Sequence, residues 1–470
     1  MTRRTAVVLT LLLSGPLWLP ATALAHGLVG KQDLPIPRWL FAWAAATVLV
    51  VSFLALALLW PTARLQHARD WRLTPLPRLL DPLCGALGVT VFAIAVYAGL
   101  AGNQSASANL LPTLMFVLFW VGIPCASFVF GDVFRAFNPW RAIGRVSGWL
   151  AVRAAARGVL PEPLEYPRRL GYWPAAAGIL AFVWIELVYT GRSDPGALAI
   201  LALAYALVQW VGMTIYGVEA WSRSADAFGV YFALFARLSP LRWTRRALFV
   251  RPPVAGAAQL AVNPGTVALV CTAIGTTSFD GFSQTGAWNS IAQTLQDAFR
   301  ELGLSPGNAL ELAFTLGLIV AVVVIFSFYR LGIEGMRTVD PSRSTNELAG
   351  AFAHSLIPIA LAYVIAHYFG LLAYQGQAIG FLVSDPLGEG SDLFGTANRA
   401  IDYSWLSATA VWYVQVVTLV VGHAIGLALA HDRALVLYGS GRESVRSQYW
   451  MLGVMVGFTC LALWLLSSQA

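Results

Sequence analysis

Titratable side chains inside apolar segments are the first place to look for chemistry, because a charge at membrane depth is costly unless it is paired or solvated. His367 lies in AYVIAHYFGLLAYQGQ, which continues through Tyr374, Gln375 and Gln377. Asp280 lies in TTSFDGFSQT, Glu186 in VWIELVY, and Glu311 opens another apolar run. These four groups fall at similar depth, toward the same end of their runs. An imidazole and carboxylates at one level form the donor set of a zinc-type or other transition-metal site, or of a proton relay. They would equally serve as hydrogen-bond partners for backbone and hydroxyl groups inside a helix bundle.

A second level holds His354 and His423, each about one turn from the opposite end of its run. Adjacent antiparallel helices would bring them together, for a metal or for interhelical hydrogen bonds. His354 and His367 cannot share an ion, because 13 residues at a rise of 1.5 Å separate them by about 20 Å. His26 is a further candidate ligand. Cleavage after Ala25 would make it the N-terminus, with its α-amine and imidazole preorganised to chelate a divalent metal ion. His67 and His431 stand beside arginines in expected loops and read as solvated. No Walker A loop, GxSxG elbow, HExxH, CxxCH or dinucleotide fingerprint is present.

The elements that must position these residues are helices in lipid. Of 470 residues, 58% are hydrophobic and 11% charged, against about 25% charged in an ordinary soluble domain. Mean hydropathy is +0.68. Water alone could not accommodate this much apolar surface, so the lipid bilayer is the expected partner. Runs long enough to cross about 30 Å of hydrocarbon occur near 38–60, 81–101, 109–130, 172–190, 196–216, 258–276, 309–331, 351–373, 404–428 and 449–467. The expected fold is therefore all-α, a polytopic transmembrane bundle of ten spans.

Residues 1–25 read as a cleaved signal peptide: Arg3 and Arg4, an apolar stretch, then Ala23-Leu24-Ala25. Residues 26–470 would form one transmembrane domain. With His26 outside, alternate loops hold 23 basic residues inside and 5 outside. That asymmetry places the protein in a bacterial inner membrane with both mature termini periplasmic. The net charge of +7 sits in these short loops and forms no stripe or arm, so no nucleic-acid partner is expected. Cys84, Cys125, Cys271 and Cys460 are scattered and read as buried free thiols. Residues 226–238 are expected as an interfacial helix, with Arg237 toward headgroups and Phe228, Tyr231, Phe232 and Phe235 buried. Two polar outer segments, 277–308 and 374–403, are long enough for a lid. Pro124, Pro358 and Asn263-Pro264-Gly265 are expected to interrupt spans, as in transporters.

The segments AHGLVGKQDLPIPRWLFAW, GDVFRAFNPWRAIGR, TTSFDGF and AHSLIPIALAYVIAHYFGLLAYQGQ resemble bacterial membrane proteins named fenitrothion hydrolases, along nearly the whole chain. The resemblance implies hydrolysis of a hydrophobic organophosphorus triester. Under it, a divalent metal would activate water. His367, Asp280 and Glu186 would be ligands or general base, with His26 a further ligand and Gln375 and Gln377 positioning the small hydrophobic substrate. The competing expectation is a permease for a small solute or metal ion; a third is a non-enzymatic metal-handling or assembly protein.

Overall fold

The computed structural model describes residues 38–154, 161–439 and 441–468, so the predicted leader and His26 lie outside the described residues. The chain enters as α1 (Arg38–Leu59), strand β1 (Trp71–Pro75) and α2 (Leu80–Ala101). Next come α3 (Leu110–Phe130), the short α4 (Val133–Phe137) and α5 (Pro139–Ala154). They lead to α6 (Trp173–Leu187) and α7 (Pro195–Tyr216). The short α8 (Val218–Ser224) precedes α9 (Ala227–Ala236), strands β2 (Leu241–Trp243) and β3 (Ala247–Val250), and α10 (Ala255–Ala258). The rest is helical: α11 (Thr266–Ser283), α12 (Gly286–Glu301), α13 (Pro306–Arg337), α14 (Thr345–Leu382), α15 (Ala408–Tyr438), α16 (Gly441–Ser447) and α17 (Tyr449–Ser468).

Several helices start where a side chain accepts an otherwise unpaired backbone N–H. Asn109, Asp194, Thr285, Ser305, Ser344 and Ser407 each cap in this way. Each of the ten expected apolar runs contains a helix. Among the described residues, six helices are long and apolar enough to cross a membrane: α2, α3, α7, α13, α14 and α15. Their faces separate core from rim. In α13 only 22% of the apolar window is buried in the protein, whereas in α14 the share is 61%. Val320, Val323 and Phe328 on α13 are exposed, as lipid-facing side chains must be in a bundle of this composition.

The sixth run differs most from its expected register. Its helix spans Thr266–Ser283 rather than 258–276, and Gly265 (φ 82°) ends the incoming loop. Asn263-Pro264-Gly265 therefore precedes the helix instead of breaking it, and Asp280 lies within it. Fifteen of the 18 residues of α11 are buried. It packs against α6, α13 and α14, so lipid does not select its composition, and threonine, serine and glycine are tolerated. The other two expected interruptions coincide with irregular backbone. Pro124 follows a π-helical segment, Leu114–Gly122, and Pro358 follows a 3-10 turn, Ala353–Leu356.

Helix α9 lies inside the protein rather than on lipid. Eight of its ten residues are buried, including Phe228, Tyr231, Phe232 and Phe235. Its neighbours are α3 and α6, and Arg237 at its end lines an internal cavity instead of meeting headgroups. A small antiparallel sheet, ordered β1-β3-β2, accompanies the helices. Its strands of five, three and four residues are too short for their alternation to stand out in the sequence. The four cysteines are free.

Loops converge at two ends. At the arginine-rich end, Asp432 accepts the backbone N–H groups of Arg64, Leu65 and Gln66 at 2.6, 3.2 and 3.1 Å, and Trp60 Nε1 at 3.1 Å. Arg242 pairs with Asp70, and Arg433 donates to Ala258 O. His431 also belongs here, but inside α15: it is buried, hydrogen-bonded to Trp60 O and Gln448, and not solvated. At the other end, Asn103 N donates to Leu387 O, Gly196 N to Gln104 Oε1, and Thr190 N to Glu311 Oε1.

Candidate functional site

Three helices and the buried α9 bring polar side chains to one place in the core. Helix α11 supplies Asp280, which has no exposed surface. Helix α14 supplies the neighbours His367 and Tyr368. Asp280 Oδ2 accepts from Tyr368 Oη at 2.7 Å and lies 2.8 Å from His367 Nε2. The His367 side chain keeps 13% of its surface exposed, against 1% for Asp280. The imidazole is therefore the more accessible member of the pair. Its ring stands edge-on to Tyr368, at 77° with centroids 4.6 Å apart.

Glu186, from the last turn of α6, faces Asp280 within electrostatic reach and is buried. Its Oε2 atom finds no hydrogen-bond partner among the described residues. Tyr231 on α9 lies within electrostatic reach of Glu186, and its hydroxyl is likewise without a partner among those residues. Trp120 stacks on Tyr231 at 5.3 Å and 20°, and touches Phe182 at 4.9 Å. Two orphaned polar atoms inside an aromatic shell call for an explanation beyond packing, since buried polar groups in native structures are nearly always satisfied. They suit a site that takes up a proton, a water molecule or a small polar ligand.

Helix α12 lies within the polar segment where a lid was expected and packs on Phe279, the neighbour of Asp280. It is amphipathic and buries Trp288, whose ring meets Phe279 at 4.9 Å and Phe314 at 5.3 Å. A Cβ at Gly317 would lie 2.2 Å from that indole, so glycine is required for this seat.

The structure thus brings together His367, Asp280 and Glu186 of the expected residues. Gln375 lies eight residues beyond His367, about 12 Å along the axis, and donates to Tyr403 Oη at the loop end. Gln377 exchanges hydrogen bonds with the Asp402 backbone, and Glu311 binds Thr190 N. These three hold the loops together and do not enter the cluster. His354 and His423 are not joined. His354 Nε2 reaches Leu429 O at 3.3 Å, and His423 Nδ1 reaches Leu419 O at 2.8 Å. The backbone groups they contact are far apart along α15, because His354 docks nearly two turns past His423. Among the described residues no three His, Cys, Asp or Glu side chains converge on a point that would hold a metal ion. Tyr368 was not singled out from the sequence, and Tyr231 only as a buried residue of an interfacial helix. The adjacency of Tyr368 to His367 is the only signal that would have drawn attention to it.

What the cluster can do is acid–base chemistry. A carboxylate fixes an imidazole, a phenol donates to the same carboxylate oxygen, and a second carboxylate stands alongside. Comparison with family models, with curated proteins and with solved structures returns no match to this chain.

Proposed function

We propose that this integral membrane protein is a permease that couples a proton held at Asp280 and His367 to movement of a small solute. In this reading all ten apolar helices span a bacterial inner membrane, with the arginine-rich end cytoplasmic. The observation that carries it is the pairing of Asp280 with His367 on two central helices, beside a Glu186 oxygen without a partner. Ionisable groups retained at such depth characteristically mark proton or ion pathways. The irregular backbone at Leu114–Gly122 and Ala353–Leu356 lies in α3, whose Trp120 stacks on Tyr231, and in α14, which carries His367, as in transporters whose broken helices bind cargo.

Proteoliposomes loaded with pyranine test this. Zn²⁺, Mn²⁺ and a panel of amino acids and organic anions are offered outside. A solute-dependent proton flux is expected in the wild type and falls roughly tenfold or more in Asp280→Asn. Flux equal to that of protein-free vesicles for every solute sinks the reading.

The imidazole–carboxylate pair also favours a second reading, hydrolysis of a hydrophobic phosphotriester such as fenitrothion. His367 would take a proton from water as the water attacks phosphorus, with Asp280 holding the ring. An apolar triester would enter from lipid between helices. A divalent metal would have to draw on His26 in addition to these residues, so no step here runs through one. Release of nitrophenolate by purified protein, lost in His367→Ala, would select this reading over transport.

A further inference from the structure

The arginine-rich end contains a second built feature that the acid–base cluster does not use. Glu219, on α8, sits among five guanidinium groups. Its Oε1 accepts from Arg141 Nη2 at 3.0 Å, Arg145 Nε at 3.2 Å and Arg245 Nη2 at 2.9 Å. Its Oε2 faces Arg135 Nη2 at 3.0 Å and Arg223 Nη2 at 3.6 Å. Asp81 is the other carboxylate in the group, paired with Arg141 and Arg145. Five guanidinium groups thus meet two carboxylates, leaving three positive charges uncompensated.

Three of the five, Arg135, Arg141 and Arg223, border a cavity of about 220 Å³. Arg135, Arg141, Arg223 and Arg237 line it, with Glu219 and Asp132. Arg141 is held rigidly: its side chain is 4% exposed and donates to Glu219, Asp81 and the Arg135 carbonyl. Arg237 is anchored through Gly256 O at 3.3 Å. Arg135 and Arg223 are more exposed and share the single oxygen Oε2 of Glu219, so both keep N–H groups to offer. The α9 backbone forms one wall at Gly229, Val230 and Ala233. A partly enclosed space, a surplus of planar donors and a fixed guanidinium make a receptor for a doubly charged oxyanion, because guanidinium forks match phosphate oxygens two at a time.

We propose that this cavity binds a phosphate group, carried either by a soluble phosphate compound or by the headgroup of an anionic lipid. Basic pockets between helices near the cytoplasmic side of membrane proteins take lipid phosphates in this way. Glu219 serves as the internal anion that keeps the arginines gathered, and the bound phosphate neutralises the remainder.

The test uses the full chain. Calorimetry in neutral detergent at low salt measures binding of inorganic phosphate and pyrophosphate. Native mass spectrometry of protein from nanodiscs measures retention of phosphatidylglycerol against phosphatidylcholine. A soluble source gives saturable binding of the free anions, weakened roughly tenfold in Arg223→Gln through loss of one charge-assisted hydrogen bond. A lipid source gives selective retention of phosphatidylglycerol, lost in the same variant, with no binding of free anions. Arg223 is 63% exposed and touches Glu219 only at 3.6 Å, so its loss leaves the fold intact. Arg330→Gln, at a separate contact with Asn346, is the control and binds as wild type. The proposal is overturned if the wild type retains neither free anions nor phosphatidylglycerol. It is equally overturned if both Arg223→Gln and Arg135→Gln bind as tightly as the wild type.

Discussion

Asp280 Oδ2 and His367 Nε2 lie 2.8 Å apart, on helices that meet nearly out of contact with solvent. In sequence the two residues are 87 positions apart, and only the packing of α11 against α14 joins them. Replacing Asp280 by Asn keeps the shape and removes the charge. Coupled proton flux, or hydrolysis under the second reading, is expected to fall roughly tenfold to a hundredfold, the cost of one charge-assisted hydrogen bond. Tyr368→Phe removes only the second donor to Asp280 and is expected to have the smaller effect. Equal rates in the wild type and Asp280→Asn would remove the pair from the mechanism.

Asp226 organises the arginine-rich end. It has no exposed surface and accepts from Asn138 Nδ2 at 2.7 Å, Trp140 Nε1 at 2.9 Å and Tyr205 Oη at 2.7 Å. Asp226→Ala leaves three buried donors without an acceptor. Destabilisation of about 3 kcal/mol or more is expected, because each unsatisfied buried group costs about 1–3 kcal/mol. Thermal unfolding in detergent measures it, and Asn138→Ala, which removes one donor, is expected to cost less.

Gly422 and Gly426 set the distance between α14 and α15. A Cβ at Gly422 would lie 2.3 Å from Ala362 Cβ and 2.9 Å from Pro358 O, and one at Gly426 would lie 2.7 Å from Ser355 O. Backbone cannot yield as a flexible side chain does. Gly422→Ala is expected to destabilise by about 1–3 kcal/mol through overpacking, read as a lower midpoint in thermal unfolding. Gly380→Ala, where a Cβ would meet nothing within 4 Å, is the matched control and is expected to change little.

The Glu219 cluster carries a pH dependence. Burial alone would raise the Glu219 carboxyl, but the guanidinium groups of Arg141, Arg135, Arg145 and Arg223 outweigh it and hold it below its ordinary value of 4.5. A carboxyl depressed in the folded state contributes stability that is fully present above its unfolded value and disappears as pH falls through the folded one. Wild type is therefore expected to exceed Glu219→Gln in melting temperature by a constant margin from pH 7 to pH 5. The margin closes only below 4.5. A margin that shrinks already between pH 7 and pH 6 would show that another group controls it.

The helices were legible in the sequence because lipid imposes a long apolar run on each peripheral span. The site was legible where rarity alone marked a residue: few ionisable groups occur inside the runs, so His367, Asp280 and Glu186 stood out. The exact placing of α11 was not legible. Its surroundings are other helices, so Thr276, Thr277 and Ser278 sit where a lipid-facing helix would carry leucine, and the hydropathy maximum falls short of its true end. In the sequence Tyr231 reads only as a buried residue of an interfacial helix, for a related reason. Hydrophobic pattern placed α9 on a surface, while its aromatic residues pack among α3 and α6. Gly422 and Gly426, four residues apart inside an apolar run, fit the small-residue spacing of close helix packing, but only the coordinates identify α14 as the partner.

The grip of Asp432 on residues 64–66 has a consequence for biosynthesis. Helix α1 makes its main contacts with α15 and α17, and the carboxylate that fastens its trailing loop is 372 positions later than Trp60. As the ribosome delivers the chain from its beginning, α1 is made well before the carboxylate that fastens its trailing loop. The clasp on residues 64–66 therefore forms late, and a nascent chain released before residue 432 is expected to lack it.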